Sequence, residues 1–88
     1  RRAEVPFVVA YAAVRRARWS AAASAARTAL ALRPEYPEAR LVLAEALAGE
    51  GRDADARQEL AAFLREAPPE MVDARARAEA YLRAGHAP

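Results

Sequence analysis

The sequence has no cysteine, no lysine and only three glycines among its 88 residues. Without cysteine it can form neither a disulfide framework nor a thiolate metal site. Its longest apolar stretch, VPFVVAYAAV, falls short of the roughly 18–20 residues that span a bilayer, so we expect no membrane insertion. Valine and isoleucine runs typical of strands are also missing, whereas alanine, the strongest helix former, is abundant. The composition therefore predicts an all-α fold.

All 14 basic residues are arginine, which with the abundant alanine indicates a GC-rich bacterial genome. Residues 1–33 carry seven arginines and one acidic residue, residues 34–73 carry four and ten, and residues 74–88 carry three and one. This distribution either steers a charged partner or reflects helix faces that pair with their neighbours, and we favour the second interpretation. The densest cluster, Arg15–Arg18, lies at a predicted helix C-terminus, where cations complement the helix dipole. We therefore expect no binding of nucleic acid.

Prolines and glycines divide the sequence into five predicted helices. Ser20 and Asp53 are expected to cap the second and fourth helices, and Gly51 and Gly85 to end the third and fifth. The connections are a few residues each, so consecutive helices should pack antiparallel. The predicted ranges are Glu4–Ala17, Ser20–Arg33, Pro37–Glu50, Ala54–Ala67 and Glu70–Ala84.

One spacing recurs along the chain, since the interval from Pro34 to Pro68 equals the interval from Gly51 to Gly85. We call this interval the repeat spacing. A shift of the sequence by it also superposes small residues that would let helices approach to about 8–10 Å. These residues are Ala10, Ala44 and Ala78 on the first helices, and Ala22 and Ala56 on the second. Larger apolar side chains are expected to fill the core beside them, namely Val9, Leu43, Leu47, Leu60, Leu64 and Tyr81.

A helix pair that recurs at this spacing resembles the tetratricopeptide repeat, TPR, whose unit is about 34 residues long. The second copy carries the resemblance best, through Leu43, Ala44, Leu47, Gly51, Ala56, Leu60 and Pro68. The first copy matches at Val9, Ala10, Trp19, Ala22, Ala29, Leu30 and Pro34, and the third at Ala78, Tyr81 and Gly85. Three features depart from the family pattern. The tryptophan of the first helix is replaced by Pro6, Arg40 and Ala74. Ala26 stands where a large residue is usual, and Arg77 occupies a leucine-like position.

The resemblance implies one TPR-like domain over residues 1–88, an α-solenoid of antiparallel helix pairs that winds into a right-handed superhelix. Repeat one would span about 3–36, repeat two about 37–70, and a half repeat or capping helix about 71–88. A plain helical bundle is the alternative. Because the chain starts with Arg1 and not with methionine, we expect it to be a fragment of a longer protein.

TPR domains generally bind a peptide or helix of a partner protein in a concave groove lined by the first helices. The expected groove residues are Phe7, Val8, Tyr11, Val14, Leu41, Val42, Glu45, Arg75 and Glu79. The family's carboxylate clamp for chaperone tails is not expected, because its positions hold side chains that cannot bind a carboxylate, namely Phe7, Tyr11, Val42, Val72 and Ala76.

A structural role is the alternative function: a spacer or self-association segment of a longer solenoid, its apolar groups covered by other repeats or a second chain. A homo-oligomer would then form through the terminal helix edge, at Tyr81 and Leu82. Similar repeats occur in bacterial cytoplasmic regulators and in envelope assembly or export proteins, so the compartment stays open.

Catalytic chemistry has little support in the sequence. The lone histidine, His86, lies at the chain end, and there is neither a glycine-rich phosphate loop nor a metal-ligand pair. We therefore expect no enzyme, no cofactor and no metal site.

Overall fold

A computed structural model describes residues 2–84, which form five α-helices, as predicted for an all-α fold. The helices are α1 (Glu4–Arg15), α2 (Trp19–Leu32), α3 (Pro37–Gly49), α4 (Asp53–Glu66) and α5 (Val72–Ala84). Gly85, the predicted end of the fifth helix, and His86 lie outside the described residues. Within the described range no helix is long and apolar enough to cross a membrane.

The turns after α1 and α3 lie one repeat spacing apart and have the same backbone geometry. Ala17 and Gly51 both have left-handed backbones, with φ of 58° and 81°. The next amide donates back to the helix in both turns, from Arg18 to the Ala13 carbonyl and from Arg52 to the Leu47 carbonyl, each at 2.9 Å. This is the Schellman ending, in which glycine is usual at the left-handed position. The first turn places alanine there instead.

The predicted helix caps are wrong. Helix α2 begins at Trp19 and α4 at Asp53, one residue earlier than expected, and the residues before them make no side-chain cap hydrogen bond. Ser20 and Asp53 thus lie inside the first turns of their helices. Helix α5 begins at Val72 and not at Glu70, because the Met71 amide donates to the Pro68 carbonyl and closes a turn first.

Small residues bring the helices together, as the repeat spacing predicts. Each helix packs on the next along the chain, and α1 also contacts α3. The five alanines at the repeated positions are at most 2% exposed: Ala10, Ala22, Ala44, Ala56 and Ala78. One buried cluster joins α1, α2 and α3 and also includes Ala56 of α4, and a second cluster joins α3, α4 and α5.

The larger core residues differ in part from those expected. Val9 is 55% exposed and lies outside the core. Leu64 and Tyr81 are half-buried against the second cluster. Leu43, Leu47 and Leu60 are buried as predicted. Two aromatic residues that were not predicted join the core, since Phe63 is fully buried and Tyr36 is nearly so. Phe63 occupies the repeat position of the buried Ala29, so this position holds a large residue in one copy and a small one in the other.

Arg40, which stands where the family has tryptophan, joins α3 to α4 through a half-buried polar network. Its guanidinium donates to the carboxylate of Glu59 at 2.9 Å, to that of Glu66 at 3.1 Å and to the Pro34 carbonyl at 3.1 Å. Hydrogen bonds with charged partners are stronger than neutral ones. The network therefore ties the first turn of α3 to α4 through charge-assisted hydrogen bonds.

The single tryptophan packs against the C-terminal end of α3. A Cβ atom at Gly49 would lie 2.2 Å from the nearest ring atom of Trp19. Only glycine lets the indole approach this closely, so Gly49 fixes how the start of α2 meets α3.

Candidate functional site

Three residues of α1 occupy one helix face at a spacing of i, i+4 and i+7: Phe7, Tyr11 and Val14. Phe7 is half-buried and its ring centroid lies 5.2 Å from that of the buried Tyr36. The ring of Tyr11 lies 6.2 Å from that of Phe7 and is 48% exposed. The core thus holds Phe7 in place, and Tyr11 is the accessible aromatic on this face.

Leu41 and Glu45 of α3 occupy the repeat positions of Phe7 and Tyr11. Both residues line a cleft of about 210 Å³ between α3, α4 and α5. The remaining lining comes from Leu60, Arg77, Ala78 and Tyr81. The walls are largely apolar, with one carboxylate and one guanidinium at the rim.

The cleft exists because the backbone of α5 approaches that of α4 but not that of α3. Among the described residues, no Cα atom of α5 lies within 8 Å of a Cα atom of α3. Two arginines tie the antiparallel pair at opposite ends by donating to the last carbonyls of the partner helix. Arg57 donates to the carbonyls of Tyr81 and Leu82 at 3.3 and 2.7 Å. Arg75 donates to those of Leu64 and Ala67, both at 3.0 Å.

A side-chain hydrogen bond adds to this attachment, since the Tyr81 hydroxyl donates to the Asp53 carboxylate. That bond raises the pKa of Tyr81, because ionisation would remove the donated proton, and desolvation acts in the same direction. Tyr81 therefore both walls the cleft and holds α5 on α4.

The carboxyl group of Glu45 lies at the cleft in an environment that disfavours its charge. Desolvation raises its pKa, and the positive charge of Arg77 opposes that effect only in part. The residue still keeps access to solvent. A cation brought to this carboxylate by a ligand would offset the cost of desolvation.

The structure separates the nine expected groove residues into different environments. Five lie on equivalent faces of α1 and α3 or line the cleft: Phe7, Tyr11, Val14, Leu41 and Glu45. Glu79 is exposed on α5. Val42 is only 5% exposed and packs with α1 and α2, and the guanidinium of Arg75 is engaged with carbonyls of α4. Val8 occupies the same repeat position as Val42 but is 61% exposed.

Leu60, Arg77 and Tyr81 line the cleft but were not expected there. Leu60 was assigned to the core, and Tyr81 with Leu82 to an unpaired edge of the last helix. Both of these α5 residues are half-buried against the second cluster, and the self-association edge stays a prediction. The sequence signal was Arg77, whose charge at a leucine-like position indicates that α5 packs through a different face.

In the described part of the chain, no group of three or more histidine, cysteine or acidic side chains could hold a metal ion.

A family model described as the tetratricopeptide repeat matches residues 13–78, three quarters of the chain. No significant match was found among curated proteins or among solved structures.

Proposed function

Because the chain belongs to the tetratricopeptide repeat family, whose repeats are generally non-catalytic protein–protein interaction modules, we propose that it binds a helix or an extended segment of a partner protein. The binding surface is the face formed by Phe7, Tyr11, Val14, Leu41 and Glu45, together with the cleft beside α5. The observation that carries the proposal is the exposed ring of Tyr11, which lies beside the ring of Phe7. Tyr11 occupies the repeat position of Glu45, which lines the cleft.

Tyr11 is the proposed anchor of this surface. Rigid aromatic side chains with a polar tip are enriched among the residues that dominate binding energy. The tilted contact with Phe7 and the Arg15 guanidinium, 5.8 Å from the Tyr11 ring centroid, restrain the ring before a partner arrives. A restrained side chain loses less conformational entropy on binding, which favours affinity.

The cleft gives the partner a chemical signature. Its apolar walls suit one aliphatic or aromatic side chain, and the partly desolvated carboxylate of Glu45 suits a lysine or arginine beside it. The proposed ligand segment therefore carries an apolar residue and a basic residue close together.

A library of random peptides displayed on phage provides a defined probe for this surface. Selected peptides are synthesised, and their binding is measured by fluorescence anisotropy against the chain and three variants. Tyr11→Ala should weaken binding by about 5- to 150-fold, the equivalent of roughly 1–3 kcal/mol, with the melting temperature nearly unchanged. Glu45→Gln should selectively weaken peptides that carry a basic residue.

Leu32→Ala is the matched control, because Leu32 is 47% exposed, like Tyr11, but lies at the end of α2. It should leave peptide binding unchanged. Equal losses for Tyr11→Ala and Leu32→Ala would contradict the proposed surface, as would unfolding of the Tyr11→Ala variant with binding intact.

A structural role within a longer solenoid is the second candidate function. The observation that favours it is a row of exposed valines on α1, on a different face from Tyr11.

A further inference from the structure

One face of α1 is apolar and uncovered. Val5, Val8, Val9 and Ala12 follow the i, i+3, i+4, i+7 spacing of a helix face that packs on a neighbour. All four are exposed, the valines by 61%, 61% and 55%. We call these four residues the outer face of α1. Soluble proteins seldom leave such a contiguous row of large apolar side chains open without a partner for it.

The same repeat positions have a partner in the second copy. A shift by the repeat spacing places Ala39, Val42, Leu43 and Ala46 at the outer-face positions of α3, and none is more than 5% exposed. Val42, Leu43 and Ala46 pack in one cluster with buried residues of α1 and α2. The outer face of α1 therefore carries the same kind of apolar side chains that, in α3, pack against a preceding helix pair.

The other end of the chain is built differently. A second shift by the same spacing reaches Asp73, Ala76, Arg77 and Ala80 of α5, and all four are exposed. Helix α5 packs on α4 through another face, which includes Ala74, Ala78 and Tyr81. Two of the four equivalent positions thus carry charge and face solvent, so α5 does not use them to pack on the preceding pair.

We propose that the outer face of α1 is a docking site for a further helix pair of the same repeat type, stacked on α1 as the first pair is stacked on α3. Its second helix carries small residues where it meets α1, as α2 does with its buried Ala22, Ala23, Ala26 and Ala29. Helix α2 ends at Leu32, and only four residues separate it from Pro37, where α3 begins. A helix stacked in the same way ends beside the start of α1, so the docked pair is joined to α1 by a short connection in the same polypeptide.

A second copy of the chain suits this face less well. Three valines that are each about 60% exposed offer far less than the roughly 800 Å² that each partner commonly contributes to a stable interface. A second copy that docked through the exposed face of α5 would place Asp73 and Arg77 against the valines, and burying charges against apolar side chains is unfavourable.

A tandem protein tests the proposal directly. Residues 3–36 are duplicated ahead of residue 3, so that the repeat spacing continues and the added second helix leads into the original α1. The tandem should gain helical signal in circular dichroism in proportion to the added pair. Val8→Asp in the original α1 should then lower the melting temperature by about 10 °C or more, because the charge becomes buried, but by less than about 3 °C in the chain without the duplication.

Val72→Asp is the control, since Val72 is 65% exposed on α5 and should stay exposed in both proteins. Its effect on the melting temperature should be small and equal in the two. The proposal is overturned if the tandem gains no helical signal, or if Val8→Asp has the same small effect in both proteins. It is also overturned if the chain without the duplication sediments as a dimer that Val8→Asp converts to a monomer, because a second copy would then be the occupant.

Discussion

The turn after α1 places an alanine where the equivalent turn after α3 has a glycine, and replacing Ala17 by glycine should stabilise the fold. The left-handed conformation costs a residue with a Cβ atom about 1–2 kcal/mol. Glycine avoids that cost but loses more backbone entropy on folding, about 0.5–1 kcal/mol. The net gain expected for Ala17→Gly, the difference between these two effects, is therefore about 0.5–1 kcal/mol.

The reverse substitution, Gly51→Ala, should destabilise the fold by a similar amount. A Cβ atom at Gly51 would meet no atom within 4 Å, so the backbone conformation alone sets the effect. Ala80→Gly, at an exposed position within α5, controls for the entropy of glycine and should destabilise by about 0.5–1 kcal/mol.

Urea unfolding followed by circular dichroism measures all three variants, with equal slopes required for the comparison. In thermal melts, a change of about 0.5–1 kcal/mol corresponds to about 2–8 °C for a domain of this size. If Ala17→Gly destabilised the chain as Ala80→Gly does, Ala17 would not adopt the left-handed conformation, and the equivalence of the two turns would be lost.

Three further predictions concern side chains that join helices. Arg40→Ala should lower the free energy of unfolding in urea by about 1–3 kcal/mol, because it leaves two half-buried carboxylates unpaired. Arg52→Ala removes only surface ion pairs and should lower it by less than about 1 kcal/mol. Equal losses for the two variants would contradict this difference. Gly49→Ala should place a methyl group against the indole of Trp19 and destabilise the fold by about 1–3 kcal/mol. Adding Trp19→Leu in a double variant should recover part of this loss. Stability losses of the two substitutions that simply add would argue against the contact. The raised pKa of Tyr81 contributes stability that is fully present below the unfolded value near pH 10 and is lost as pH rises through the folded value. The stability difference between the chain and its Tyr81→Phe variant should therefore shrink above about pH 10 in alkaline unfolding titrations, and a difference independent of pH would refute the hydrogen bond.

The features that the sequence predicts correctly depend on local preferences for forming or ending a helix and on the repeat spacing. Five helices follow from alanine content and from proline and glycine breaks. The buried alanines follow from the repeat spacing, since a position that permits a close crossing in one copy permits it in the next. The left-handed backbone of Gly51 follows from the usual glycine at a helix end.

The features that sequence reasoning missed depend on which neighbour a helix has. Val8 and Val42 occupy the same repeat position, yet one is exposed and the other buried, because only α3 has a helix pair stacked on that face. Periodicity marks both as apolar and cannot distinguish them. Likewise, the period places Arg77 at a core position, but α5 turns another face toward α4.

The helix starts were missed for a more local reason. The side chain of Ser20 predicts a helix cap, but the Schellman turn that ends α1 also fixes where α2 can begin. Once Arg18 has donated its amide back to Ala13, the next residue is already helical. A backbone motif here overrides a side-chain preference.

The proposal that the chain recognises a partner through the Tyr11 face is tested most directly by mapping a bound peptide on the protein. A phage-selected peptide is titrated into the ¹⁵N-labelled chain, and amide chemical shifts are followed by NMR. We predict that the largest changes lie at Phe7, Tyr11, Leu41, Glu45 and Ala78, while Val5, Val8 and Val9 change little. Changes concentrated on those three valines, with Tyr11 and Glu45 unaffected, would contradict the proposed site of recognition.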